Sequence, residues 1–194
     1  MPQAASTVNR YTTVAIVLHW AIALMIIGLI LFGLLMTQEW VPNRFAIYQW
    51  HKSIGITVLI LSALRLMWRL THRPPALPAS MPLWQRNASH ATHGLFYALM
   101  IVMPLLGWAM VSASELPIPT VLYGLVGLPD MPGVPESEAV EGRFRLLHEI
   151  GAKLFIALIV LHVGAALKHH FKDKDDVLRR MIPWLNKHRL KTKV

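Results

Sequence analysis

Ten histidines occur in a chain of 194 residues that is 55% hydrophobic, and several of them lie inside long apolar runs. Imidazole can bind a metal ion, and it exchanges a proton near neutral pH. An ionisable side chain is costly to place within a membrane-spanning segment, so such a residue usually marks a functional site. The depth of each histidine along its apolar run therefore decides which of them are candidates.

Four histidines fall at two depths if the apolar runs are helices that cross a bilayer. We call the membrane side at which the first run begins and the last run ends the inner side. At about 1.5 Å of rise per residue, His19 lies about 7 to 8 Å from the inner end of the first run, and His162 lies about 9 Å from the inner end of the last run. At the opposite, outer level, His51 lies about 4 to 5 Å and His148 about 3 Å from the ends of their runs. The 14-residue interval between His148 and His162 places both on nearly one helix face.

Paired imidazoles at two levels favour two b-type haems, each with two axial histidines. The chain has no cysteine, which excludes disulfides, thiolate zinc sites, iron–sulfur clusters and thioether-linked haem. A zinc site would need three or four ligands at one level, and each level supplies two. Small residues one helical turn from these histidines would give a flat macrocycle clearance, although they also line ordinary membrane helix interfaces. They are Ala15, Ala23, Gly55, Gly151, Ala152, Ala165 and Ala166.

Three further residues near the inner level are candidates, and each has a structural alternative. Arg65, 14 residues after His51, could hold a haem propionate or could anchor its helix by snorkelling to the interface. His169, seven residues after His162, could hydrogen-bond a quinone and deliver its proton, or could pack among neighbouring basic residues. His93 could replace an inner ligand or cap the start of its helix.

The elements that carry these residues are four predicted membrane-spanning helices, at 14–36, 48–70, 93–111 and 146–168. Each has about 19 to 23 residues, enough to cross a hydrocarbon core of roughly 30 Å. The mean hydropathy of +0.46 and the charged fraction of 15% also indicate a membrane protein. The first run is longer than a signal-peptide core and lacks a cleavage pattern, so we expect a retained helix. We predict one all-α domain over 1–194, an up-and-down four-helix bundle with the haems between its helices.

The distribution of charge predicts the orientation in the membrane. Arg10, the stiff proline-rich basic connector at 71–89 and a basic tail at 169–194 fall on one side. By the positive-inside rule that side is the cytoplasm, so both termini are expected there. The acidic connector at 112–145 is then expected on the periplasmic side of a bacterial inner membrane. The net charge of +9 lies at the ends of apolar runs and not on a face with base-stacking aromatics, which argues against nucleic-acid binding.

These residues resemble the prokaryotic cytochrome b561 family of four-helix, di-haem membrane proteins, and the resemblance covers nearly the whole chain. It rests on VLHW around His19, QWHKSIG around His51, RLMWRL, HGLFYALMIVMPLLGW, LLHEIGAKLFIALIVLHVGAALKHHF and the following LRRMIPW. The long segment that contains His148 and His162 is the most specific, because it combines their 14-residue interval with the KHH that follows.

The resemblance implies that His19 and His162 bind the iron of a cytoplasmic-side haem, and that His51 and His148 bind the iron of an outer haem. It also implies electron transfer between an outer donor, superoxide or a donor protein, and the ubiquinone pool, with His169 near the quinone. Six-coordinate iron leaves no open position, so each haem would carry electrons and not bind dioxygen. Lipid and quinone are therefore expected partners.

Two other functions stay open on the sequence. The chain could be a haem b membrane-anchor subunit that receives electrons from a docked dehydrogenase or hydrogenase through the connector at 112–145. For the di-haem electron-transfer function itself, the sequence leaves open whether the chain is a superoxide:quinone oxidoreductase or a non-catalytic electron carrier. A haem-free transporter or scaffold is the third class, but four histidines at matched depths would then be polar residues buried without a function.

Overall fold

The computed structural model of the protein describes residues 10–116 and 118–182. Four long helices make up most of it, and a short β-hairpin stands between the third and the fourth. They are α1 (Thr13–Leu35), α2 (Arg44–Thr71), α3 (Leu83–Ser112), β1 (Thr120–Leu122), β2 (Val126–Leu128) and α4 (Glu138–Lys168). A π-helical turn, His169–Asp173, and a 3-10 turn, Leu178–Arg180, follow α4. The end of the predicted basic tail, residues 183–194, lies outside the described residues.

All four helices are long and apolar enough to cross a membrane. Neighbours along the chain pack against each other: α1 against α2, α2 against α3, and α3 against α4. A hydrogen bond from the Ser137 N–H to the Ala113 carbonyl (2.9 Å) ties the start of α4 to the end of α3. The predicted all-α class and the four-helix membrane bundle are therefore confirmed, with the hairpin as an element that the sequence did not predict.

Three helices begin before the apolar runs that predicted them. α2, α3 and α4 start at Arg44, Leu83 and Glu138, whereas the runs start at 48, 93 and 146. Hydropathy marks where a helix enters lipid, and it does not mark where the backbone stops being helical. The connector predicted to be extended over 71–89 is consequently shorter, because its last residues form the first turns of α3.

A small apolar core occupies the middle of the bundle. It contains one to three residues from each helix, namely Ile22, Val58, Leu99, Met100, Met103, Phe155 and Leu158. Phe155 lies midway along α4 between His148 and His162, so the core separates the two histidine levels. Most other large apolar side chains face outward, as expected for a surface in contact with lipid and not water.

Candidate metal centres

The outer pair consists of His51 on α2 and His148 on α4. Their ring centroids are 6.3 Å apart and the ring planes are inclined by 65°. Both Nδ1 atoms are buried and lack a hydrogen-bond partner among the described residues. The Nδ1–Cε1 edge of each ring lies against a glycine of a neighbouring helix: a Cβ on Gly33 would be 3.5 Å from His51 Cε1, and one on Gly107 would be 3.3 Å from His148 Cε1. Glycine at 107 therefore lets the His148 ring lie close to α3, whereas a Cβ on Gly33 would make an ordinary van der Waals contact with His51.

The inner pair consists of His19 on α1 and His162 on α4. Its ring centroids are also 6.3 Å apart, and its planes are inclined by 68°. Phe96 of α3 packs edge-on against His162 with a centroid distance of 5.4 Å. The two levels thus share one spacing and nearly one inclination although three different helices supply the four rings. This repetition indicates a common geometric requirement.

An ion bound in line between two imidazoles accounts for that spacing. Two metal–nitrogen bonds of about 2 Å and two ring radii of roughly 1 Å separate ring centroids by roughly 6 Å. Between the two levels, α1 and α4 leave an apolar groove of about 140 Å³ lined by Ile27, Ile30, Leu31, Ile156, Ile159 and Val160. Two imidazoles facing each other at the same spacing on both levels fit two b haems better than a zinc site, which needs three or four converging ligands.

Arg65 lies at the inner level, as predicted, and its guanidinium points toward the inner pair. Its NH1 atom is 3.0 Å from His19 Nδ1, and its Nε is 3.4 Å from the hydroxyl of Tyr97. The guanidinium also lies 5.9 Å from the centroid of the Tyr97 ring, within the range of a cation–π contact. Both contacts direct Arg65 into the bundle, whereas snorkelling would direct it to the membrane surface.

His93 is a third imidazole at the inner level. Its ring centroid is 5.6 Å from that of His162, with the planes inclined by 84°. Its Nδ1 lies 2.7 Å from the carbonyl oxygen of Ser89 and must donate to it, so the free lone pair is on Nε2. The spacing is shorter than the 6.3 Å shared by the other two pairs, which favours His19 over His93 as the partner of His162.

His169 lies beyond the end of α4, in the π-helical turn. Its Nδ1 is 2.6 Å from a carboxylate oxygen of Asp175 and 3.3 Å from one of Asp173. Asp173 also contacts the Lys168 ammonium at 2.5 Å, so its carboxylate already has a cation. A carboxylate at Nδ1 fixes the proton there and leaves Nε2 free to interact with a ligand. The chain reverses at Lys174, whose φ of 54° is left-handed, and this turn brings Asp175 back onto the imidazole.

The segment after α4 packs against the inner end of the bundle. The Trp20 indole N–H donates to the Met181 carbonyl at 2.9 Å, and Trp20 packs edge-on against His19. The buried Arg180 donates to the Ala76 carbonyl at 2.5 Å and pairs with the Asp176 carboxylate at 2.9 Å. The part of the tail that the structure describes is therefore tied to α1 and to the connector that precedes α3.

Sequence reasoning missed four of these residues: Gly33, Gly107, Tyr97 and Asp175. The small residues expected to give a macrocycle clearance lie in other surroundings: a Cβ on Gly55 would meet no atom within 4 Å, and one on Gly151 would overlap the sulfur of Met103. Their expected role beside a haem stays a prediction. The sequence feature that could have identified Gly33 and Gly107 is a glycine inside an apolar helix at the depth of the outer histidines. Which glycine faces which ring depends on the helix rotations, and the sequence does not specify those.

Comparison with known proteins gives a consistent result over nearly the whole chain. A family model described as prokaryotic cytochrome b561 matches residues 10–184. "Cytochrome b561 homolog 1" of Escherichia coli (strain K12) is 30% identical over 179 residues, which cover 90% of this chain and 98% of the relative. "Cytochrome b561 homolog 2" of the same organism is 32% identical over 181 residues, covering 91% and 93%. "Probable superoxide oxidase CybB" of Yersinia pestis is 27% identical over 179 residues, covering 90% and 97%.

Gly107→Leu tests the contact of α3 with the outer pair. A leucine side chain would occupy the space against which the His148 edge lies, so we expect the iron bound per purified chain to fall to about half. Gly28→Leu is the control, because a Cβ at Gly28 would meet no atom within 4 Å. Metal analysis of both variants measures the effect. Equal iron in Gly107→Leu and in the parent would contradict the assignment of Gly107 to the outer centre.

Proposed function

Because the chain belongs to the prokaryotic cytochrome b561 family, whose members transfer electrons in membranes with haem b, we propose that it carries two haems and reduces ubiquinone with electrons from a periplasmic donor. The observation that carries the proposal is the 6.3 Å spacing of two imidazole pairs at two levels of one bundle. In this proposal both chain termini are cytoplasmic, and the outer level faces the periplasm.

The proposed ligands are His19 and His162 for the inner haem, and His51 and His148 for the outer one. When bound, each haem would supply a one-electron redox centre held by the two imidazoles of its level. α4 gives one ligand to each centre, so the 14-residue interval on this single helix sets their vertical separation at about 21 Å. The apolar core between the levels keeps water, and with it protons, out of the middle of the bundle.

Arg65 has a defined part in this proposal. Its guanidinium lies beside His19 and within reach of the Tyr97 hydroxyl. A guanidinium at this position would pair with a haem propionate, because it offers two parallel donors to a carboxylate.

Superoxide is the donor that we propose for the outer end. One relative is named a probable superoxide oxidase, and Lys52 provides a cation beside His51 that favours the approach of an anion. The Lys52 ammonium is held in place by the Pro119 carbonyl at 3.0 Å and lies over the Tyr48 ring. Two superoxide ions would each give up one electron and leave as dioxygen, and one ubiquinone would take up both electrons and two protons to become ubiquinol.

We propose that His169, at the inner end, carries the two protons to the quinone. Asp175 holds the Nδ1 of this imidazole, which leaves Nε2 as the atom that can donate to a quinone oxygen. Asp175 is thus a positioning residue in the proposal, and His169 is the group that contacts the quinone. Proton uptake from the cytoplasm, together with electron entry from the periplasm, would couple the reaction to both sides of the membrane.

The alternative is a haem b membrane-anchor subunit that accepts electrons from a docked dehydrogenase or hydrogenase. The observation that favours it is an exposed apolar surface on the outer connector, where Leu125 is 84% exposed and Val126 is 61% exposed. Such a chain would co-purify with its partner and would not reduce quinone with superoxide by itself. The two functions share the haem sites and differ in what contacts the outer end.

Single substitutions of the four ligands test the haem assignment. We expect the parent to bind two haems per chain, and each of His19→Ala, His51→Ala, His148→Ala and His162→Ala to retain about one, because each removes one axial ligand. His93→Ala is the matched control at the inner level and should retain both. Haem quantitation with reduced-minus-oxidised spectra measures the result. Loss of a haem in His93→Ala, with both retained in His19→Ala, would make His93 the inner ligand.

Superoxide-dependent reduction of ubiquinone by the isolated chain tests the reaction. We expect Asp175→Asn to lower the rate by about tenfold or more, with unchanged haem content, since the amide oxygen that replaces the carboxylate is a weaker acceptor and carries no charge to stabilise the protonated imidazole. Asp130→Asn, on the exposed outer connector, is the control and should retain the parent rate. No activity in a parent protein that contains both haems would favour the anchor-subunit function.

A further inference from the structure

We propose that the β1–β2 hairpin is inserted into the outer leaflet, where Leu125 and Val126 contact lipid. The sequence between Glu115 and Asp130 contains no charged residue. This uncharged segment includes the whole hairpin, so the outer connector, acidic at its ends, is apolar in its middle. The uncharged segment has 14 residues, too few to cross the membrane as a helix. A search for membrane-spanning helices by hydropathy therefore does not find this segment.

The base of the hairpin lies beside the outer end of α2. The Pro119 carbonyl accepts hydrogen bonds from the Gln49 amide at 3.1 Å and from the Lys52 ammonium at 3.0 Å. The Trp50 ring, half-exposed on the same helix, packs edge-on against the Tyr123 ring at a centroid distance of 5.6 Å. Tryptophan and tyrosine are typical of the boundary between headgroups and acyl chains.

From this base the hairpin runs along α2 toward the middle of the membrane. The Tyr123 N–H donates to Ser53 Oγ at 3.0 Å, and the Tyr123 hydroxyl is 2.6 Å from Thr57 Oγ1. Thr57 lies six residues beyond His51, which is about 9 Å further along the helix axis. The backbone of the turn therefore lies at the level of Ser53, about 3 Å beyond His51 along the helix axis, and the Tyr123 hydroxyl reaches the level of Thr57.

The turn fixes which side chains face away from the bundle. Tyr123 and Gly124 have φ values of 53° and 72°, and the Leu125 N–H donates to the Leu122 carbonyl at 2.9 Å, as in a type I′ turn. This conformation leaves Leu125 and Val126 largely uncovered. Ile60, one helical turn beyond Thr57 on α2, is also exposed, at 56%.

Polar groups that follow the hairpin are also bonded to the bundle, and an apolar solvent favours such pairing. Beyond β2, the Pro129 carbonyl accepts a hydrogen bond from the Trp108 indole at 3.0 Å, and the Met131 N–H donates to Ser112 Oγ at 2.8 Å. The open edge of β2 can be satisfied by water and headgroups if the hairpin lies about 5 to 10 Å into the boundary region. The hairpin would then hold the outer end of α2 and the Lys52 ammonium at a fixed level.

The absence of cysteine allows a direct test with single nitroxide labels. The haem-loaded protein in phospholipid nanodiscs carries the label at Leu125→Cys, at Ile60→Cys on the lipid-facing side of α2, or at Glu136→Cys on the exposed connector. Collision of each label with dissolved oxygen and with a water-soluble nickel chelate is measured by electron paramagnetic resonance. We expect Leu125→Cys to match Ile60→Cys, with frequent oxygen collisions and about tenfold fewer chelate collisions than Glu136→Cys.

Two results would overturn the proposal. Chelate collisions as frequent as those of Glu136→Cys would place the turn in water. Infrequent collisions with both reagents would indicate that protein, and not lipid, covers Leu125, for example a second copy of the chain. Neither result depends on the electron donor or acceptor, so the test is independent of the proposed function.

Discussion

The distance between the two imidazole rings within each histidine pair constrains the whole bundle. Each pair joins α4 to another helix, His19 of α1 at the inner level and His51 of α2 at the outer level, and both ring separations are 6.3 Å. α4 must therefore run straight past both partners, and its ligands must share a face. α3 supplies neither ring of these pairs, and it contributes instead the apolar packing and the glycine contact that hold α4 in place.

Different segments of the chain pack against the two ends of the bundle. At the outer end, the uncharged hairpin lies against α2 and fixes the Lys52 ammonium. At the inner end, the segment after α4 carries the contact between His169 and Asp175 and is tied back through Trp20 and Arg180. The inner end thus has a hydrogen-bonded imidazole, and the outer end has a fixed cation. Under the proposed function this difference separates proton uptake from electron entry.

The sequence predicted the four spans and the two histidine levels, because helix rise is regular and polar residues are rare in apolar runs. It did not predict the neighbours of each ring. Gly33 and Gly107 are adjacent to histidines only after four helices have packed, and Asp175 reaches His169 only through the left-handed turn at Lys174. The hairpin was missed because hydropathy finds long helices, and its strands have three residues each.

The inclination of the paired rings offers the most direct test of the central claim, which is bis-histidine ligation at both levels. Electron paramagnetic resonance of the fully oxidised protein reports the coordination and the relative orientation of the axial imidazoles. With planes inclined by 65° and 68°, the account predicts two low-spin ferric centres with strongly anisotropic signals. A single low-spin centre, or a high-spin signal from an open coordination position, would contradict bis-histidine ligation at both levels.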